Sequence, residues 1–137
     1  VREHRGSPGF AVVDARDSDY WSGVETGGSP EQPHRTGHIA GAHSVPFDST
    51  TTDDLHLRPA KELGALFAAA GVAPGDTIIA YCHIGQQATA VLFAARTLGR
   101  EVLLYDGSFE EWSRLPVAEY PVERPALAPP AAEKPAP

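Results

Sequence analysis

Short apolar runs alternate with amphipathic helical periods along most of this chain, and that alternation limits the fold more than any other feature. Phe10-Ala-Val-Val13 is an apolar run closed by Asp14, the pattern of a buried strand in a parallel sheet. Ser44-Val45-Pro46 reads as a second short strand stopped by proline. Pro59 sits where a first helical turn starts, and Leu63, Leu66, Phe67 and Ala70 follow on one helical face up to Gly71. That stripe is core. The turn Ala73-Pro-Gly-Asp76 leads into a buried strand, Thr77–Tyr81. The next helix puts Ala88, Val91, Leu92 and Ala95 on one face and stops near Gly99. Glu101–Tyr105 reads as another strand, and Asp106-Gly107 as a turn. Ser108 and Glu111 have the spacing of a capping box for a short helix carrying Trp112. Strands alternating with helices predict an α/β fold around a parallel sheet.

The chain has 137 residues, the size of one domain that can bury its own core. Its net charge of −7 argues against a nucleic-acid binder, which would show a basic face. No apolar run approaches the roughly 18 residues of a membrane span, and no signal segment is visible, so a cytoplasmic location is favoured. There is no Met, so the chain is expected to be processed or cut from something longer. Residues 124–137 carry five Pro and five Ala and read as a flexible tail or linker after a domain over 1–123. Gly23–Arg35, rich in Gly, Pro, Ser and charge, reads as an exposed loop.

The single cysteine rules out an internal disulfide and a Cys-based zinc cage. Its position is informative, because Cys82 directly follows a buried strand and opens the segment His83-Ile84-Gly85-Gln86-Gln87 ahead of a helix. Ligands of α/β sheets bind beyond the carboxyl ends of strands. Backbone N–H groups of a tight loop entering a helix converge there and favour a thiolate. Gly85 supplies the freedom for the loop to curl round a bound atom. The residues alone leave two readings, a reactive thiolate or a small buried hydrophobe.

Four segments, in order, resemble the rhodanese (sulfurtransferase) family. Val13-Asp-Ala-Arg16 resembles its D-x-R, and Gly37-His-Ile-Ala-Gly-Ala42 its G-H-I-x-G-A. Cys82–Gln87 resembles its six-residue active-site loop. Tyr105–Trp112, YDGSFEEW, resembles a stretch in the second half of tandem thiosulfate and mercaptopyruvate sulfurtransferases. The resemblance covers about Phe10 to Pro121. It implies a three-layer fold with a central parallel sheet flanked by helices. It also implies that Cys82 is the nucleophile, that His83, Ile84, Gly85, Gln86 and Gln87 bind substrate, and that Asp14 and Arg16 support the site. No cofactor and no metal are implied. The expected partners are a small sulfur donor such as thiosulfate and a cyanide or thiol acceptor, with a second rhodanese or other domain outside this chain as a further candidate. No nucleic acid or membrane is expected.

Related phosphatases use C-x5-R; here the corresponding position is Ala88, and no Arg lies in the loop. Tandem thiosulfate enzymes carry basic residues in the loop and an Arg shortly after D-x-R, whereas this chain has His83, Ile84 and about Asp19 at those places. The loop also lacks the Ser/Gly pattern expected for mercaptopyruvate. That contrast keeps a second reading beside the enzyme: a sulfur-carrier or regulatory module with little thiosulfate turnover. A redox sensor is a third, and any resolving thiol would come from outside.

Other residues are weighed on their own. Asp14 and Arg16 read as an ion pair or turn bond at the strand end before any contact with substrate. His38 reads as a hydrogen-bonded loop residue, and Gly37 argues against the helix that would pair His34 with His38 on a metal. Gln86 and Gln87 could bond a substrate oxygen or remain solvated. Phe109 and Trp112 are expected to pack near the loop or to wall the pocket.

Overall fold

The computed structural model describes residues 1–125. Of the expected tail, everything from 126 onward lies outside the described residues. The strands are β1 (Phe10–Asp14), β2 (His38–Ile39), β3 (His43–Ser44), β4 (Thr77–Tyr81), β5 (Val102–Leu104) and β6 (Val122–Glu123). The helices are α1 (Ser18–Ser22), α2 (Ala60–Ala69), α3 (Gln86–Thr97) and α4 (Ser108–Trp112), with a 3-10 turn at Phe47–Thr50. Four strands form a central sheet in the order β3-β1-β4-β5, and every pairing within it is parallel.

The period-two pattern of the strands divides the core. Ala11 and Val13 of β1, with Ile78 and Ala80 of β4, face one side and pack with Phe67 of α2 and with Val91 and Ala95 of α3. Val12 and Tyr81 face the other side, where they meet Ile39, Phe109 and Trp112. Cys82 continues the first set and belongs to the α3 side.

Both long helices stop in the same way. At the end of α2, Gly71 N–H donates to Ala68 O and Val72 N–H to Phe67 O; at the end of α3, Gly99 N–H donates to Arg96 O and Arg100 N–H to Ala95 O. These are Schellman closures, with glycines at φ +92° and +77°.

Several expected elements shift. The strand expected over Ser44–Pro46 pairs one residue earlier, at His43–Ser44. The strand expected over Glu101–Tyr105 is shorter, and it is an edge strand that leaves Leu103 and Leu104 exposed. The capping box is overturned. The N-cap of α4 is Gly107, with no side-chain cap. Ser108 Oγ instead donates to Tyr105 O and accepts from Cys82 N–H, and Glu111 accepts from the Tyr105 hydroxyl. The antiparallel β2–β6 pair, His38 opposite Glu123 and Ile39 opposite Val122, has no counterpart in the sequence pattern.

Candidate active site

Cys82 stands at the carboxyl end of β4, and its loop ends where α3 begins at Gln86. Three hydrogen bonds, two of them between backbone groups, seat this loop on α4. Cys82 N–H donates to Ser108 Oγ (3.1 Å), Phe109 N–H donates to Cys82 O (3.0 Å), and Glu110 N–H donates to His83 O (3.0 Å). The first-turn N–H groups of α4 have no partners within their own helix, so the loop carbonyls satisfy them. Ser108 adopts φ +54° to make this junction, a backbone region that non-glycine residues seldom occupy.

Cys82 is 1% exposed. Gly85 N–H points at Cys82 Sγ from 3.0 Å, and it is the loop amide bonded to the sulfur among the described residues. Gly85 makes that bond at φ +100°, buried, with Asp106 O 3.1 Å from where a Cβ would stand. Gly85→Ala is expected to destabilise the fold by about 1–3 kcal/mol in urea unfolding, because it adds left-handed strain to a crowded contact.

Cys82, His83, Ile84, Gln86 and Gln87 line a cavity of about 190 Å³. Ile84 is 58% exposed at its rim. Gln87 carries a buried Oε1 without a hydrogen-bond partner. A larger cavity of about 330 Å³, lined by Trp21, His38, Ala42, His43 and Glu123 among others, has no cysteine in its wall.

The wall beside the loop comes from residues that sequence reasoning did not assign to the site. Tyr20 meets the His83 ring edge-on at 4.6 Å between centroids, and the His34 ring lies 6.0 Å from it. His34 is buried although the surrounding Gly23–Arg35 segment is largely exposed. Its Nε2 lies 2.5 Å from Glu110 Oε2. The hydrogen bond from His34, together with Arg114, holds the Glu110 carboxyl below its ordinary range. Glu110 is thus the acceptor and His34 Nε2 the donor, and His34 Nδ1 is buried without a hydrogen-bond partner among the described residues.

His83 is neutral at physiological pH. Burial, then the Arg16 charge and His34, lower its pKa from 6.5 to about 4. An NMR titration of the ring is expected to have its midpoint near 4, and sulfur uptake is expected to show no step at 6.5. The unfolded chain takes up this proton at a higher pH than the folded one. His83 therefore makes stability fall as pH drops from 6.5 to about 4, with no further loss below.

Asp14 and Arg16 form a buried ion pair, 0% and 1% exposed, with Arg16 Nη2 2.6 Å from Asp14 Oδ2. Arg16 also donates to Gly37 O and lies over the Phe109 ring, 4.2 Å from its centroid. The Tyr81 hydroxyl donates to Asp14. Burial, then the Asp14 charge, push the phenol well above its usual range, so it stays a neutral donor. The pair thus ties the end of β1 to the residue before Cys82 and to α4. It does not line the Cys82 cavity. His38 is hydrogen-bonded and stacked: its Nδ1 lies 2.7 Å from Trp21 O and its ring stacks on Trp21. Phe109 and Trp112 are buried in the core on the Tyr81 side of the sheet.

The rhodanese-like domain family matches residues 1–115. Thiosulfate sulfurtransferase of Gallus gallus is 32% identical over 121 residues, which cover 88% of this chain and 40% of that protein. The sulfur carrier protein TtuD of Thermus thermophilus is also 32% identical over 121 residues, covering 84% of this chain and 41% of the relative. The chain therefore spans about two fifths of the length of these curated relatives. Among solved structures, the Tum1 protein of Saccharomyces cerevisiae superposes with a TM-score of 0.66 at 26% identity, covering 76% of this chain and 36% of that one. An anaerobic ergothioneine biosynthesis enzyme from Chlorobium limicola, in complex with trimethyl histidine, superposes with a TM-score of 0.76. At 23% identity, covering 91% of this chain and 30% of that one, it is a likeness of fold.

Proposed function

The chain belongs to the rhodanese-like domain family, and from that premise we propose that it moves a sulfane sulfur from a donor such as thiosulfate to a thiophilic acceptor through a persulfide on Cys82. The observation that supports this reading is the cysteine itself: Cys82 follows β4 at its carboxyl end, lines a cavity, and receives the Gly85 N–H at Sγ from 3.0 Å. In the first step the Cys82 thiolate attacks the outer sulfur of thiosulfate. The Sγ–S bond forms, the S–S bond of the donor breaks, and sulfite leaves with the electron pair. In the second step cyanide attacks the outer sulfur of the persulfide. Thiocyanate leaves and the thiolate returns. One difficult transfer becomes two displacements on sulfur. Gly85 N–H stabilises negative charge on Sγ in the free thiolate, so no general base is needed beside it. Charge on the outer sulfur falls to the other amides of the His83–Gln87 loop.

A second reading rests on a specific observation. No Lys or Arg lines the cavity, and His83 is neutral. That favours a domain that accepts and holds sulfur with little thiosulfate turnover, in the manner that the name of the TtuD relative suggests. Steady-state thiocyanate formation separates the two readings. Repeated turnover of thiosulfate and cyanide supports the transferase. One equivalent of protein-bound sulfur without turnover supports the carrier. Absence of both would sink the proposal.

A further inference from the structure

We propose that His34 and Glu110 are positioning residues for sulfur transfer at Cys82: their hydrogen-bonded pair straps the Gly23–Arg35 segment onto α4 and fixes the His83 ring at the wall of the Cys82 cavity. This rests on the reading of Cys82 as a persulfide-forming nucleophile and gives its loop a support from a distant part of the chain.

Glu110 reaches both sides of the junction. Its backbone N–H donates to His83 O at 3.0 Å, and its side chain accepts from His34 Nε2. The His34 ring in turn lies beside the His83 ring, with centroids 6.0 Å apart and planes inclined by 28°. One residue of α4 therefore holds the Cys82 loop by its main chain and the wall beside that loop by its carboxylate. The His34 ring also rests edge-on against Phe109, with centroids 5.9 Å apart, and Phe109 N–H donates to Cys82 O. Tyr20 of α1 meets His83 edge-on at 4.6 Å, so two separate elements hold the His83 ring.

Gly27 sets the spacing of the two imidazoles. His34 N–H donates to Gly27 O at 2.9 Å and closes the segment on itself. A Cβ on Gly27 would stand 2.8 Å from His83 Nδ1 and 3.2 Å from His34 Nδ1, so the Gly27 backbone lies against both rings.

The pair does more than dock the segment, because other bonds already do so. Arg114 donates to Gln32 Oε1, Arg35 N–H donates to Ser113 Oγ, and the Arg35 guanidinium donates to the Leu115 and Tyr120 carbonyls. The His34 side chain is 3% exposed and is spent on Glu110, Phe109 and His83. What it adds is orientation. An imidazole free to leave its seat reshapes a cavity of about 190 Å³, and small misplacements at a reacting centre slow a reaction steeply.

Three variants of the full chain test this. His34→Ala removes the strap. His34→Gln keeps an N–H donor for Glu110. Gly27→Ala leaves the strap and crowds the His83 ring out of its seat; Gly27 is outside the left-handed region, so alanine adds no backbone strain there. Two quantities are read. One is the second-order rate of persulfide formation on Cys82 by quenched intact mass, from whichever of thiosulfate and benzyl hydropersulfide loads the unaltered protein faster. The other is the NMR titration midpoint of the His83 ring, on which Arg16, His34 and Asp14 act and which lies at about 4 in the unaltered protein. His34→Ala and Gly27→Ala are each expected to slow uptake about tenfold and to move the midpoint from about 4 towards 6.5, because the displaced ring gains solvent. His34→Gln is expected to stay within about threefold of the unaltered rate. Unchanged uptake in either folded alanine variant overturns the inference. Slower uptake with the His83 midpoint unmoved also overturns it, because the loss is then not carried by His83. A His34→Gln protein as slow as His34→Ala overturns the assignment to the hydrogen-bonded pair. If circular dichroism shows His34→Ala unfolded, Gly27→Ala decides by the same two readings. Failure of both donors to load the unaltered protein is a different result, and it overturns the sulfurtransferase reading itself.

Discussion

Cys82→Ala is expected to reduce sulfur uptake and thiocyanate formation to the uncatalysed background while the protein stays folded. The chain holds one sulfur nucleophile, so no neighbouring thiol can take over. The loss is chemical rather than structural. Cys82 is a small side chain in a core that also contains Ala80, Ala88 and Ala95, and removing one sulfur atom from such a site costs about 1 kcal/mol. The Gly85 N–H loses its acceptor, adding a partly offset hydrogen-bond penalty. Circular dichroism and urea unfolding, run beside the sulfur assay, separate the two effects. Cys82→Ser gives a second check. Its hydroxyl can still accept from Gly85 N–H, yet it forms no persulfide, so it is expected to be equally inactive. Retained uptake in either variant would move the chemistry away from this residue.

Arg16→Met is expected to destabilise the domain by about 3–5 kcal/mol. The reason is the charge left behind. Asp14 is fully buried, and its carboxylate is held by the Arg16 side chain, the Arg16 N–H and the Tyr81 hydroxyl. Methionine fills much of the volume but leaves that carboxylate without a counter-ion, and the Gly37 carbonyl loses its donor. Asp14→Asn combined with Arg16→Met removes both charges and keeps an acceptor for the Tyr81 hydroxyl. It is expected to be less destabilised than Arg16→Met alone, which a merely additive account would not give. Urea midpoints with unchanged m-values make the comparison. A cost below about 1 kcal/mol for Arg16→Met would place the pair among the weak surface contacts.

The parts of the fold that were legible in the sequence are those with local causes. β1 and β4 are apolar runs because both faces of a parallel sheet are covered. α2 and α3 announce themselves by one apolar face and a glycine stop. Cys82 could be singled out because strand, glycine-containing loop and helix follow one another in the chain. What escaped is long-range. β2 and β6 are two residues each, and their pairing joins Ile39 to Val122. Their period cannot be seen in so few residues. The Ser108 capping pattern was sound locally, but Cys82 N–H claims the serine oxygen and the Tyr105 hydroxyl claims Glu111. His34 sits in a stretch whose composition reads as exposed, and its partner Glu110 is 76 residues away. Its burial follows from the packing of the Gly23–Arg35 segment against α4, which no local window contains. The missing cation in the loop was visible in the sequence, whereas the neutrality of His83 required its burial and the nearby Arg16 charge.

The most direct test is the intact mass of the reduced protein after exposure to a sulfane donor and then to cyanide, with the modified peptide identified by fragmentation. Gain of one sulfur atom on Cys82, removed by cyanide as thiocyanate, is the predicted result. No gain from either thiosulfate or an organic hydropersulfide, or a gain that persists in Cys82→Ala, would contradict the account.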